Sequence, residues 1–289
     1  MSNVDQVIEP REKDLGDNFI VRRVLPYAKQ RMVGPFIFWD HMGPVEITPQ
    51  KGMVVRAHPH IGLATVTYLF TGQIMHRDSL NNEQLIIPGE VNWMTAGKGI
   101  THSERAELKA GKQVLEGIQV WVALPKDKED VEPSFIHQKK DNLPYFQVGK
   151  TALRLIVGSF NEYKSPVPVY SDLFYLNAKT PKGEAYHQKL AKNHEGAIYI
   201  ISGELEVEGK TYQRFDMVSF KKSSAINFKA LSDTEYMILG GEVFPEKRHI
   251  WWNFVSCSSE KIEKAKSDWK NGHFPPVINE AEFTPLPDR

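Results

Sequence analysis

The sequence predicts an all-β protein made of two β-barrel domains and finished by a short C-terminal helix. Short apolar runs broken by Gly, Pro, Asn and Asp recur from residue 19 to residue 255, with no long stretch of helical periodicity between them. A charged, proline-interrupted stretch at 126–145 separates an earlier β series from a later one and reads as a linker. The run AIYIISGELEVEGKTYQRFDMVSF at 197–220 repeats the strand, turn, strand rhythm of YLFTGQIMHRDSLNNEQLIIPGEVNWM at 68–94, as an internal duplication would. A chain of 289 residues suits two domains of ordinary size. The expected boundaries are 1–135 and 136–289, with the helix near 258–271.

Each element has a local reason. Residues 19–25 and 36–39 are β-rich runs flanked by Gly and Pro. Residues 64–70 and 74–76 flank a Thr71-Gly72-Gln73 turn, and 85–87 and 91–94 flank Pro88-Gly89-Glu90, so both pairs read as hairpins. Gly97-Lys98-Gly99 is a tight turn. The second β series runs through 152–157, 173–176, 196–201, 204–207 and 236–240. Behind Ser258, a candidate cap, Ile262, Ala265 and Trp269 fall near one helical face, and Gly272 and Pro275-Pro276 end the helix.

Composition excludes several classes. Thirty-six basic and 36 acidic residues balance to zero, which leaves no electrostatic footprint for nucleic acid. The opening residues, MSNVDQVIEPREKDLGD, are polar and hold no apolar signal core. No apolar run approaches the roughly 18 residues that span a bilayer, so a cytoplasmic protein without membrane partners is expected. Cys257 is the single cysteine; an intrachain disulfide is therefore excluded and a small buried apolar role is expected.

The chemistry concentrates in His58-Pro59-His60 and His102-Ser103-Glu104. Alternate residues of a strand share a face, so each pair projects side by side. Two such strands laid together offer three imidazoles and a carboxylate, a donor set suited to Fe, Mn, Ni, Cu or Zn. A lone His-x-His near a proline is more often a surface loop; the second pair, returned to the first by the intervening hairpins, favours a metal site.

AHPHIGLATVTYLFTGQIMHRDS followed by IIPGEVNWMTAGKGITHSER resembles the N-terminal half of the pirin family, a branch of the cupin superfamily. FIFWDHMGP upstream and GIQVWVALP downstream extend the likeness over roughly residues 35–125. The resemblance implies two cupin-type barrels, a bicupin, with one divalent ion in the N-terminal domain. Its ligands would be His58, His60, His102 and Glu104, and Fe(II) is the expected ion among the five above. Leu63-Ala64-Thr65 stands where many pirins keep another glutamate, so any role of that residue in relatives does not transfer. Some pirins act as quercetin 2,3-dioxygenases. This implies a small aromatic, flavonol-like substrate and O₂, with Glu104 as ligand or as catalytic general base. Others are metal- or redox-responsive regulators, which would imply a protein partner instead.

Remaining polar and aromatic residues receive plainer readings. The C-terminal barrel lacks a His-x-His pair and is expected to be metal-free, with His187 and His194 on the surface or in loops. His41 and His76 lie near enough in sequence to line the pocket, but hydrogen-bonded structural roles are the expectation for both. Arg56, two positions before His58, is expected to share its face and to pair with an acid. Trp251 and Trp252 should point to opposite faces, one of them into the core.

Overall fold

The computed structural model describes residues 2–15 and 19–287. It divides into two compact units. One gathers Asp141–Phe244 and Arg23–Phe38 with the opening residues up to Arg11; the other gathers Trp39–Lys140, residues 12–22 and the chain from Pro245 onward. Neither is contiguous, so the single cut at 135/136 is replaced by two interleaved sets of segments.

In the first unit an eight-stranded antiparallel sheet runs in the order Val4–Ile8, Met217–Phe220, His194–Ser202, Thr234–Glu242, Leu173–Thr180, Thr151–Phe160, Tyr145–Val148, with Tyr163–Lys164 beside Thr151–Phe160. A four-stranded sheet of Ala185–Lys189, Ala225–Ala230, Glu204–Val207 and Lys210–Gln213 completes it. The core contains Leu155, Leu176, Ile198 and Ile238 from the larger sheet and Tyr186, Leu205, Ile226 and Phe228 from the smaller. Alternate apolar residues of each strand therefore meet between two layers, with the intervening residues facing out. The expected barrels are realised as open two-sheet sandwiches of the cupin type.

The second unit repeats this plan. A seven-stranded sheet built mainly from its residues has the order Ser134–Gln138, Val91–Thr95, Leu63–Thr71, Gln113–Ala123, Phe36–Ile47, Ile20–Leu25, Arg11–Asp14. Its four-stranded sheet has the order Met53–His60, Ile100–Ala106, Ile74–Asp78, Glu83–Ile86. Met42, Ile47, Leu69 and Leu115 from one sheet pack with Met53, Ile74, Ile86 and Ala106 from the other.

The linker reading of 126–145 is corrected here. Ser134–Gln138 is an antiparallel strand registered against Val91–Thr95, and 3₁₀ turns occupy Lys126–Lys128 and Lys140–Asn142. An edge strand needs one partner and buries little, so its composition stays polar and resembles a connector. The boundary at 135/136 would cut through it.

The C-terminal helix forms as expected over Ser259–Lys270, with the Ser258 side chain accepting the Lys261 N–H. Ile262 and Ala265 are buried with Ile61 and Phe254, and Trp269 packs beside them. Before it, His249–Trp251 and Phe254–Ser256 form a hairpin. Trp252 sits in its turn at φ 51°. Trp251 and Trp252 are each half-buried, and Phe254 takes the core position instead, because a two-residue turn breaks the alternation expected across the pair. Among the described residues no helix is long and apolar enough to cross a membrane.

Gly62 turns the chain from Met53–His60 into Leu63–Thr71. Its N–H donates to the Gly97 carbonyl at 2.9 Å and its carbonyl accepts the Leu124 N–H at 3.1 Å. At φ +68° a Cβ here would lie 2.0 Å from the Val255 carbonyl oxygen. Gly62→Ala should therefore destabilise the protein by at least ~2 kcal/mol, from left-handed strain before the clash is counted. Urea denaturation followed by tryptophan fluorescence would measure it, and an unchanged midpoint would contradict this packing.

Candidate metal centre

Ile100–Ala106 lies between Met53–His60 and Ile74–Asp78, and the registers set the site. His102 pairs with His58 on one side and with Asp78 on the other; Glu104 pairs with Val55 and with His76. One residue, Ser103, thus faces two on the neighbouring strand, a bulge at Arg56 and Ala57. The extra residue shifts the inward positions from Met53 and Val55 to His58 and His60. Arg56 is thereby taken off the histidine face, against expectation, and its Nε stands 3.5 Å from Glu282. The pairing with an acid agrees with the sequence reading.

The four residues selected from the sequence come together and are all buried. The His58 ring lies 4.9 Å from that of His60 and 4.4 Å from that of His102, centre to centre. His60 Nε2 and His102 Nε2 are 3.1 Å apart. Two imidazoles bound at right angles to one ion, each at about 2.1 Å, would stand about 3 Å apart. The neighbours also fix the tautomers. His58 Nδ1 donates to the Arg56 carbonyl at 2.8 Å and His60 Nδ1 to the Asn253 carbonyl at 3.0 Å, which leaves both Nε2 atoms as lone pairs.

Electrostatics favour the same use. Burial lowers the His58 pKa to about 4, with the charge of His76 adding to the effect against the Arg56 carbonyl. Burial, then the charge of neighbouring histidines, holds His60 and His102 well below the ordinary imidazole value. All three are therefore neutral donors at neutral pH. Glu104 is raised by burial, against the opposing influence of His76 and the Thr67 hydroxyl. A divalent ion would reverse that balance and hold Glu104 ionised. Convergent neutral imidazoles beside a carboxylate fit such an ion.

His58, His60 and His102 form one group whose donor atoms lie within 4.8 Å of one another; His76, His102 and Glu104 form another. Both groups belong to the unit built on Trp39–Lys140. His76 is hydrogen-bonded as expected, with Nε2 3.1 Å from Asp78, and it also stands beside the centre, the pocket-lining alternative that the sequence left open. Phe135 stacks on it with centroids 4.4 Å apart, and Trp121 meets His60 edge-on at 5.0 Å. His41 is likewise bonded, 3.1 Å from Glu116.

In the other unit His187 is exposed and lies against Asn227 within Ala185–Lys189. His194 departs from the surface reading. It begins the strand His194–Ser202, is 8% exposed, and reaches Asp172 at 3.2 Å. Cys257 is half-buried rather than fully buried as expected, and its thiol is pushed up to about 11 by burial and the adjacent Glu129, away from a reactive thiolate.

A two-sheet fold repeated along one chain, with a histidine and carboxylate cluster between the sheets of one copy, defines a bicupin with a candidate metal centre. The family descriptions Pirin and Pirin C-terminal cupin domain match residues 18–122 and 175–275. A pirin-like protein of Caulobacter vibrioides is 48% identical over 291 residues, covering 99% of this chain and 100% of that one. The chain belongs to the pirin family. A crystal structure of quercetin 2,3-dioxygenase from Acinetobacter baumannii superimposes with a TM-score of 0.89 at 31% identity, covering 98% of this chain and 96% of that one. A bacterial pirin of Escherichia coli, solved in complex with nickel(II), shares the fold with a TM-score of 0.64 at 18% identity over 82% of this chain and 99% of that one.

Glu104 is tied to the opposite sheet. Thr67 Oγ1 lies 3.0 Å from Glu104 Oε1 and 2.7 Å from Gln119 Oε1. One hydroxyl hydrogen cannot serve both oxygens. When Glu104 is ionised Thr67 donates to it and Gln119 turns its amide N–H toward the hydroxyl; when Glu104 is protonated the chain of donors reverses. Thr67→Val should cost about 1–3 kcal/mol by stranding buried partners and should move the Glu104 carboxyl further up in the metal-free protein. Denaturant unfolding reads the first effect and the infrared carboxyl band across pH the second; a band that titrates as in wild type would contradict the contact.

Proposed function

We propose that this chain is a metal-dependent dioxygenase that opens the heterocycle of a flavonol-like substrate with O₂. The observation that carries the proposal is the convergence of neutral His58, His60 and His102 beside a buried carboxyl of raised proton affinity. The quercetin 2,3-dioxygenase name of the Acinetobacter structure supports the substrate class.

His58, His60 and His102 would hold the ion, and Fe(II) would suit a histidine and carboxylate set that leaves coordination positions open. An ion held there would supply Lewis-acid chemistry, lowering the pKa of an enol hydroxyl brought beside it. Glu104 stays close enough to accept the hydroxyl proton, with Thr67 steadying one of its oxygens. Trp121 and Phe135, packed against His60 and His76, are the aromatic side chains that would wall a planar substrate brought to the cluster. Burial of the cluster keeps water from the reacting carbons. Both atoms of O₂ enter the ring-opened product, and one ring carbon leaves with its oxygen as carbon monoxide.

Oxygen uptake with quercetin, measured after separate reconstitution with Fe(II), Mn(II), Ni(II), Cu(II) and Zn(II), tests this reading. Uptake should depend on the metal and vanish in His60→Ala. Glu104→Gln should retain metal on its three histidines yet turn over at least about 100-fold more slowly, the usual contribution of a general base. No uptake at verified metal occupancy would overturn the proposal and point to metal-responsive protein binding.

A further inference from the structure

The outer face of the ligand strands is held by the chain's own end. Ser103 and Arg105 alternate with His102 and Glu104 along Ile100–Ala106, so they project from the opposite side of the strand. There they meet Glu280, whose side chain is 2% exposed. Arg105 donates to it from Nε at 2.8 Å and from a terminal nitrogen at 2.7 Å, a fork on both carboxylate oxygens. Ser103 donates at 3.0 Å, and Arg77, next to His76, at 3.5 Å.

The same tail closes the bulge. Residues displaced from a ladder leave backbone groups without partners. Here the Ala57 N–H donates to the Glu282 carbonyl at 3.3 Å, and the Ala57 carbonyl accepts the Thr284 N–H at 2.8 Å. Ala57 and Phe283 form a parallel bridge. Trp269 anchors the segment from the helix, its indole N–H donating to the Thr284 carbonyl at 3.0 Å.

We infer that Glu280 is a positioning residue for the metal centre, fixing the pitch of the His102–Glu104 strand from its outer face while the adjoining backbone locks the bulge that aims His58 and His60. Burial alone would raise the Glu280 carboxyl, but the bonds from Arg105 and Ser103 and the charges of Arg105 and Arg77 outweigh it, so it is ionised at neutral pH. Two strands bearing all four donors are thus braced by one carboxylate and three residues of backbone. The inference rests on the metal reading above, yet it concerns affinity and geometry rather than turnover.

Co(II) added to the metal-free full-length protein is the probe, with the dissociation constant from calorimetry and the d–d absorption band as readouts. In Glu280→Gln the affinity should fall by about tenfold or more, as for other partners that orient ligands, and the band should shift. Affinity reduced by less than that, or an unmoved band, overturns the inference. If Glu280→Gln does not fold, Ser103→Ala, which removes one bond to the same carboxylate, should weaken Co(II) several-fold and shift the band; wild-type behaviour there overturns it equally. Wild-type protein that binds no Co(II) would remove the metal reading and this inference with it, whereas binding by wild type and variant alike would remove only the inference.

Discussion

One offset in a β ladder decides which chemistry this protein can hold. Along Met53–His60 the inward positions are odd-numbered as far as Val55 and even-numbered from His58, and the change is made by the bulge at Arg56 and Ala57. Without it, strict alternation would place Met53, Val55 and Ala57 on one face and both histidines on the other. With it, apolar side chains fill the base of the sandwich and imidazoles fill its upper part. Core and site therefore share one strand.

That arrangement is costly unless the polar groups are satisfied. Three imidazoles and a carboxyl buried between apolar sheets lose hydration, and each needs a partner inside. The structure supplies carbonyls at Arg56 and Asn253 for two Nδ1 atoms and the Thr67 hydroxyl for Glu104. His102 Nδ1 is buried with no hydrogen-bond partner. The lone pairs on Nε2 of His58 and His60, facing His102, are where a cation could offset what the protein groups leave unmet. The same low polarity that depresses the imidazole pKa values keeps those lone pairs free. Burial thus makes the residues better donors while it makes their charged forms worse.

Much of this was legible in the sequence. Two His-x-acid or His-x-His pairs on period-2 runs identify the four inward residues, and short strands with turn signals identify the two-sheet class. What was hidden depends on backbone or on distant chain. The acceptor for His60 is a main-chain carbonyl, for which no residue type is required, so Asn253 carries no signal. Phe135 lies in an edge strand whose charge imitates a linker. Arg56 is placed by an extra residue that periodicity does not reveal. Glu280 sits in a polar tail, and only its burial distinguishes it from neighbours such as Glu282, which is solvent-facing.

The hidden contacts also have a common direction in sequence. Asn253 is 193 residues from His60, and Glu280 is 175 from Arg105. Closing such loops costs conformational entropy that only cooperative packing returns, so these contacts depend on the local hairpins of 63–95 more than those hairpins depend on them. The ligand strands can pair with each other through nearer partners, His58 with His102 across 44 residues of chain, before either outer brace is present. The C-terminal residues bear on the candidate centre without belonging to its cluster of histidines and carboxylate, because a strand held on one face fixes the direction of the side chains on the other.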